Sequence, residues 1–490
     1  MTLAVAGALV CFVDEGEEPM IPVSSLDAGM LYVETAEMPM HTMGVLLVDP
    51  PNGDETSAME LVREALEERL HLIPPFRRKL VQGPLKIGDP YWIEDPEFDL
   101  ANHLSHHVLP APGARHELDA LIGELASGCL DRDKPLWEMA VIEGLESGQI
   151  ALVTKVHHAT MDGGKGAALM GQLFSTELHG EVPAPDEPWV AEPEPTTPWL
   201  LADTVRTLLG KPRRVASAAT GVVSGLRGLG KKSSAPPEEH EDKANKPALF
   251  EAPVTTFNRV LTPNRSVGLC DVPLDDVKSI GRGLGATVND VVLAASCASV
   301  RSWLIAHDGL PERPLVAVVP VSLRGEDDHA DGNRVTVMRV RLPMDIDDPI
   351  ERLRAIHAVT RSGKKGRGGG GGGAGALKHL ADILINVSTP LALTEIFGRY
   401  SQIAERIPPM WNLVVSNIAG SPVPLYFGGT RLRQLYPLGP VQHGAGLNIT
   451  VLSTDGRLCF GALACPDLVP NVEEIAAGFE EEIGRLKGLI

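Results

Sequence analysis

Alternating strand-like and helix-like segments, a length of 490 residues and a 43% share of hydrophobic side chains predict an α/β protein of two or three domains. With 22% charged residues beside that apolar content, the chain has material for large cores, which excludes a wholly disordered protein. In residues 22–195, Thr42 to Val48 reads as a strand, and Ser57 to Leu70 and His116 to Leu130 read as amphipathic helices. Glu138 to Ile142 and Ile150 to Val156 are short runs rich in Val, Ile and Leu, suited to sheet positions. Pro183 to Pro198, rich in Pro and Glu, cannot hold a regular helix and is expected to leave this first domain.

A linker is expected over residues 196–250. Between Pro198 and Lys232 stand Arg206, Lys211, Arg213, Arg214, Arg227, Lys231 and Lys232, against the single acid Asp203. Leu200, Leu201, Val205, Leu208 and Leu209 recur at helical spacing beside them. Such a basic, leucine-bearing helix can lie in an anionic lipid interface, or simply be a solvated connector. Ser233 to Lys246 is polar and Pro-punctuated, the composition of a flexible tether.

Residues 251–490 read as a second α/β domain. Thr287 to Leu304 and Ile350 to Arg361 are helix candidates, and Leu315 to Pro320 and Val335 to Leu342 are strand candidates. The six glycines Gly368 to Gly373 lie in an expected mobile loop, 363–376; they lack the P-loop pattern GxxxxGK[ST]. At the other end, residues 1–21 form an N-terminal extension. Its apolar run, Leu3 to Val13, is short of the roughly 20 residues a bilayer span needs. Asp14, Glu15, Glu17 and Glu18 follow it and no basic n-region precedes it, so it does not read as a signal peptide.

A formal net charge of −20 and only 4% aromatic residues argue against a nucleic-acid binder or a base-stacking platform. Cys11, Cys129, Cys270, Cys297, Cys459 and Cys465 are scattered without a CxxC pair, which fits free thiols in a reducing cytosol. The expectation is an intracellular protein, water-soluble in bulk, and the sequence specifies no oligomeric state.

The stretch that carries chemistry runs from Ile150 through His157, His158, Asp162, Gly163 and Gly164. A buried-looking strand leads straight into two histidines, whose side chains point to opposite faces, so only one can enter a given cleft. The glycines allow a sharp turn where Asp162 sits, and an imidazole at a strand end is suited to take a proton near neutral pH. HExxH is absent and no Cys or His cluster supplies a third ligand, so no metal is expected. GxSxG is absent too, which speaks against a serine hydrolase. From spacing alone, His158 reads equally as a general base or as a structural core histidine.

His157-His158-Ala159-Thr160-Met161-Asp162-Gly163 matches the HHxxxDG signature of the two-domain acyltransferase superfamily that includes chloramphenicol acetyltransferase and peptide-synthetase condensation domains. Pro135-Leu136-Trp137, Asn289-Asp290-Val291-Val292-Leu293-Ala294 and Ser416-Asn417-Ile418-Ala419-Gly420-Ser421-Pro422 resemble segments of the bacterial wax ester synthase/diacylglycerol acyltransferases. Further matches at Leu26-Asp27-Ala28, Pro75-Phe76-Arg77-Arg78, Phe98-Asp99, Pro320-Val321-Ser322-Leu323-Arg324 and Gly446-Leu447-Asn448-Ile449 extend the resemblance over roughly residues 22–485. Ala419 and Ser421 depart from the family's Pro-Gly-Pro pattern, Thr454 stands where an aromatic is usual, and Cys465 where Asp is.

The resemblance implies two chloramphenicol acetyltransferase-like lobes, mixed sheets flanked by helices, with the active site in the cleft between them. It implies transfer of a long-chain acyl group from acyl-CoA to diacylglycerol or a fatty alcohol, with His158 as general base and His157 in support. Asn289, with backbone N–H groups, is the candidate to stabilise the oxyanion. Asp162 is expected to pair with Arg324 and hold the turn at Gly163. Pro135, Trp137, Ser416 and Asn417 are candidates for the substrate channel, Pro135 and Trp137 reading also as packing residues. No cofactor is implied, acyl-CoA being a substrate. The lipid substrates imply a cytoplasmic protein that binds the inner membrane or lipid droplets peripherally, with the basic 198–232 segment as the docking candidate. Two alternatives stand: a condensation-type transferase using a carrier-protein thioester, and a non-catalytic lipid-binding protein of the same fold.

Overall fold

The computed structural model describes residues 20–51, 57–83, 90–160, 171–185, 191, 193–206, 247, 250–322, 335–365, 394, 395, 398, 399 and 401–490. The run Leu3 to Val13, the six glycines Gly368 to Gly373 and the tether Ser233 to Lys246 lie outside these residues.

The N-terminal lobe begins with β1 (Ile21–Pro22), α1 (Ser25–Val33), β2 (His41–Val48) and α2 (Ala58–Arg69). Ser57 caps α2: its side chain accepts from the Glu60 N–H while the Glu60 carboxylate accepts from the Ser57 N–H, satisfying two donors at the helix start. There follow β3 (Arg78–Val81), β4 (Tyr91–Glu94), β5 (Leu104–Val108), α3 (Arg115–Ser127), β6 (Trp137–Glu143) and β7 (Ile150–His157). All eight residues of β7 are buried, so both faces of the strand are covered: the apolar run Ile150 to Val153 leads into Thr154, Lys155 and His157, polar side chains that are enclosed as well.

The C-terminal half supplies β8 (Ser266–Pro273), α4 (Leu274–Leu284), α5 (Val288–His307), β9 (Leu315–Ser322), β10 (Val335–Leu342) and α6 (Pro349–Lys365). It continues with β11 (Leu413–Ile418), β12 (Leu425–Phe427), β13 (Thr430–Leu438), β14 (Leu447–Thr454), β15 (Arg457–Ala464) and α7 (Glu473–Lys487). α5 is long and apolar enough to cross a bilayer, but it is a core helix: Val291 to Ala295, Val300 and Leu304 are fully enclosed.

Two six-stranded mixed sheets result, ordered β12-β13-β2-β7-β6-β5 and β10-β9-β11-β14-β15-β8, with a small sheet β1-β4-β3 beside the first. Two sequence expectations are corrected here. Residues 425–438, expected in the C-terminal lobe, cross over and complete the N-terminal sheet through β13 against β2. The described residues of Pro183 to Pro198 stay against the first lobe. Pro183 C=O lies 2.8 Å from His71 Nε2 and Glu194 pairs with Lys79. The helical stretch 197–206 then packs back on the small sheet, Tyr91 donating its hydroxyl proton to Asp203 at 2.8 Å.

One apolar core spans both sheets. Met43, Val45, Leu47, Ile142 and Val153 of the first cluster with Val267, Leu269, Cys459 and Leu463 of the second, joined by Leu118 and Ile122 of α3. The approach is close where β13 meets β15: a Cβ on Gly461 would stand 2.2 Å from the Pro437 carbonyl oxygen.

At the start of β11, Asn412 is fully buried and ties three segments together. Its Oδ1 accepts from the Val316 N–H at 2.8 Å, and its Nδ2 donates to Pro253 C=O and Asn258 Oδ1, both at 2.7 Å. Asn412→Ala would leave buried donors and acceptors unpaired, at a cost of about 2–4 kcal/mol. We expect a lower urea midpoint for the C-terminal lobe; an unchanged midpoint would show that this junction adds nothing to stability.

Candidate active site

The two histidines stand where β7 ends at the seam between the lobes. The strand is flanked on one side by β2, in a register that sets His41 opposite His157. On the other side, the Leu136 carbonyl accepts from the His157 N–H at 2.9 Å, so the Pro135-Leu136-Trp137 triplet borders the motif. A turn follows at once: Thr160 N–H donates to His157 C=O at 3.0 Å, which places His158 at the turn's second position. The His158 N–H is itself held, donating 2.8 Å to Met40 C=O.

Adjacent positions have separated the two side chains. His157 is fully buried, and its Nδ1 accepts from the Ala159 N–H at 3.0 Å. An amide N–H can only donate, so this ring carries its proton on Nε2, which lies 3.4 Å from Glu34 Oε1. His158 is half-buried. Burial holds its pKa below the ordinary imidazole value; a contact with its own backbone opposes this and the neighbouring His157 adds to it. A half-buried, neutral imidazole on a fixed turn can accept a proton from a bound hydroxyl.

Around them is a set of buried polar groups that the sequence did not single out. Glu34 follows α1 directly; its Oε1 accepts from the Met40 N–H at 3.0 Å and its Oε2 from Arg132 Nη2 at 2.9 Å. Burial alone would raise its carboxyl, but His157, Met40 and Arg132 outweigh that and hold it at about 2. His41, 2% exposed, is pushed down to about 3 by burial and by the positive charge of Lys155, only partly opposed by Glu34. Nothing in the spacing of residues 34–41 marks them; the fold alone brings them beside residue 157.

The other sequence candidates distribute as follows. Pro135 is buried, and Trp137 is 1% exposed, its ring between Phe76 and His103 with both centroids 4.6 Å away and its N–H donated to Phe76 C=O. That ring fills core and does not line an opening. Asn289 is half-buried in the first turn of α5, on the opposite lobe. Its neighbour Asp290 fixes that turn, taking hydrogen bonds from Thr287 and from Thr360 Oγ1 (2.6 Å), with His357 Nδ1 at 2.8 Å. Ser416 and Asn417 are half-buried at the end of β11, beside Thr450 and Val451 of β14. Among the described residues no hydrogen bond joins Asn289, Ser416 or Asn417 to His158. Asp162, Gly163 and Arg324 lie outside the described residues, and so does their pairing. Among the described residues no three His, Cys, Asp or Glu side chains gather as a metal site.

A pocket of about 210 Å³ opens at the seam, between Val33 and Met38 of the first half and Ile407, Met410, Trp411 and His443 of the second. Its walls are largely apolar, and Met38 lies two residues from the carbonyl that holds His158.

The family profile described as the wax ester synthase/diacylglycerol acyltransferase catalytic domain matches residues 23–292, and that of its C-terminal domain matches residues 331–487. A Mycobacterium tuberculosis protein named a putative diacylglycerol O-acyltransferase is 35% identical over 488 residues, 97% of this chain and 91% of its own. A second of that name is 33% identical over 469 residues, 95% and 99% of the two chains. The solved wax ester synthase/diacylglycerol acyltransferase of Marinobacter aquaeolei VT8 superposes with a TM-score of 0.66 at 25% identity, over 96% of this chain and 99% of that one. The first condensation domain of the CDA synthetase, at 18% identity and a TM-score of 0.51 over 97% of each chain, shares the fold. The two lobes are thus of the chloramphenicol acetyltransferase-like kind expected, and the chain, an acyltransferase, belongs to the wax ester synthase/diacylglycerol acyltransferase family.

Proposed function

We propose that the protein moves a long-chain acyl group from acyl-CoA to diacylglycerol or a fatty alcohol, giving triacylglycerol or wax ester and free CoA, with His158 as general base. The observation that carries this reading is a half-buried imidazole, kept neutral by burial, at the junction of two lobes in a chain of this family. The thioester carbonyl is already activated, so the difficulty lies in making the alcohol nucleophilic. In the proposed step His158 takes the hydroxyl proton as the alcohol oxygen bonds to the carbonyl carbon. The negative charge passes to the former carbonyl oxygen, where Asn289 and backbone N–H groups are the donors we assign. Collapse breaks the C–S bond, and the imidazolium returns its proton to the CoA thiolate. No acyl-enzyme forms, and no cofactor takes part.

The seam pocket, with Met38, Met410 and Trp411 in its wall, gives apolar surface for part of a hydrocarbon chain, Met38 lying two residues from the Met40 carbonyl that holds the His158 N–H. Both substrates reside in or on lipid, which calls for a cytoplasmic enzyme working at the inner membrane or a lipid droplet despite the net charge of −20. The stretch 197–206 supports such docking: Leu201 and Val205 are 48% and 49% exposed, next to exposed Arg206, where the basic run of the sequence begins.

His158→Ala, assayed as purified protein with radiolabelled palmitoyl-CoA and a mixture of diacylglycerol and hexadecanol, should lose on the order of 100- to 10,000-fold in turnover. Near-normal turnover in a folded variant removes the base assignment, and the esters formed by the unaltered enzyme identify the acceptor. Because only the neutral ring can accept a proton and burial disfavours the charged form, activity should persist below the ordinary imidazole pKa of about 6.5. An acidic limb of kcat lying above that value would contradict the reading. For docking, replacing Arg206, Lys211, Arg213 and Arg214 with Gln should weaken flotation with anionic liposomes; equal flotation would dismiss that role.

A further inference from the structure

We infer that Glu34 is a positioning residue for the acyl transfer, a carboxylate that fixes the proton on His157 and the backbone of His158 together. The inference rests on the proposed role of His158 and extends it to a residue outside the histidine motif.

Two arms leave one carboxylate oxygen. Oε1 accepts from the Met40 N–H at 3.0 Å, and the carbonyl of the same Met40 accepts from the His158 N–H at 2.8 Å. A shift of Glu34 therefore passes through a single residue to the peptide that carries the base. The second arm is electrostatic. Glu34 Oε1 stands 3.4 Å from His157 Nε2, which has no fully formed hydrogen bond of its own among the described residues. A negative charge there favours the proton on Nε2 and leaves Nδ1 free to accept from the Ala159 N–H, the bond that folds the turn around His158. With the proton on Nδ1 instead, two donors would face each other and the turn would loosen.

The surroundings show why a carboxylate is needed rather than a neutral acceptor. Lys155, Arg265, Arg132 and the neutral His41 approach this site from β7, from the C-terminal lobe, from the loop before β6 and from β2. Lys155 pairs 3.6 Å away with Glu138, and Arg265 spends its guanidinium on backbone carbonyls, including Glu37 C=O at 2.6 Å. Among the described residues, Glu34 carries the negative charge closest to His157. Its own side chain is 4% exposed, and Arg132 closes the outer side by bonding both Glu34 and Leu31 C=O.

Glu34→Gln keeps an oxygen for the Met40 N–H but removes the charge, so its loss falls mainly on the His157 arm. His157→Asn keeps an acceptor for the Ala159 N–H and removes Nε2. In the palmitoyl-CoA assay, Glu34→Gln should lower kcat roughly 10- to 100-fold, the range for a displacement of about 1 Å at a reacting group, with KM for palmitoyl-CoA changed less than about threefold. In the His157→Asn background the same substitution should cost less than about threefold, because the two changes break one interaction. Unchanged kcat, or an equal loss in both backgrounds, overturns the inference. Should Glu34→Gln fail to fold, 15N spectra of histidine-labelled unaltered enzyme decide: a His157 ring protonated on Nε2 alone supports the inference, and one protonated on Nδ1 ends it. His158→Ala in the same assay separates the two ideas. If it retains turnover the base assignment fails; if it is inactive while Glu34→Gln turns over normally, only the role of Glu34 fails.

Discussion

Residues 34–40 are the segment on which the rest of the site depends, because they are tied to both lobes and hold the peptide of His158. The segment closes on itself through the Thr35–Met38 bridge and the bond from Met40 N–H to Glu34. The N-terminal lobe grips it through Arg132 at Glu34 and at Leu31 C=O. The C-terminal lobe grips it through Arg265 at Glu37 C=O and through the His443 N–H, 3.4 Å from Met38 Sδ. A turn at the end of one strand would be loose by itself. Set against a segment bound from both sides, it becomes part of the framework of the whole molecule.

That arrangement places charged groups where water is scarce, which is unfavourable unless each is paired. The pairing here is uneven. Glu34 has donors on both oxygens and stays ionised, so it adds stability that is present above the ordinary carboxyl pKa and lost as pH falls toward about 2. His41, by contrast, has a buried Nδ1 without a hydrogen-bond partner among the described residues and stays neutral. Protonating it would set a cation beside Lys155 and Arg265. The cluster therefore gives His158 a fixed field and keeps the neighbouring His41 uncharged across the neutral range.

Much of this architecture was legible in the sequence because periodicity reports burial. β7 reads as a buried strand since every side chain on it is apolar or enclosed, and α2 announces its start with the Ser57–Glu60 box. Alternation alone set the two histidines on opposite faces, while which of them carries chemistry was implied only by the resemblance. Glu34, His41 and Arg132 could not be found that way. Glu34 lies 123 positions before His157 in the chain, and only the pairing of β2 with β7 and the entry of α1 bring them together. The crossover of residues 425–438 was hidden for a similar reason: strand patterning shows that a segment pairs, and says nothing about which sheet receives it. Pro183 and Glu194 were missed because Pro-rich composition excludes regular structure without excluding adhesion to a neighbouring surface.

The crossover also limits how substrates could reach His158 in the role proposed for it. Because β13 belongs to the N-terminal sheet while β11 and β14 on either side of it in sequence belong to the other, the chain stitches the lobes together within a few residues of the site. Leu47, Ile142, Leu269 and Leu463 then share one core across the seam. Each such side chain exposed by a parting of the sheets would cost about 1.5–3 kcal/mol, and Gly461 against Pro437 leaves no slack for sliding. A hinge that opened the lobes as rigid halves would expose several of these at once, more than substrate binding readily offsets. Entry to His158 in its proposed role would therefore have to be arranged with the sheets in place, through the lining of the seam, where the pocket beside Met38 already joins segments of both halves.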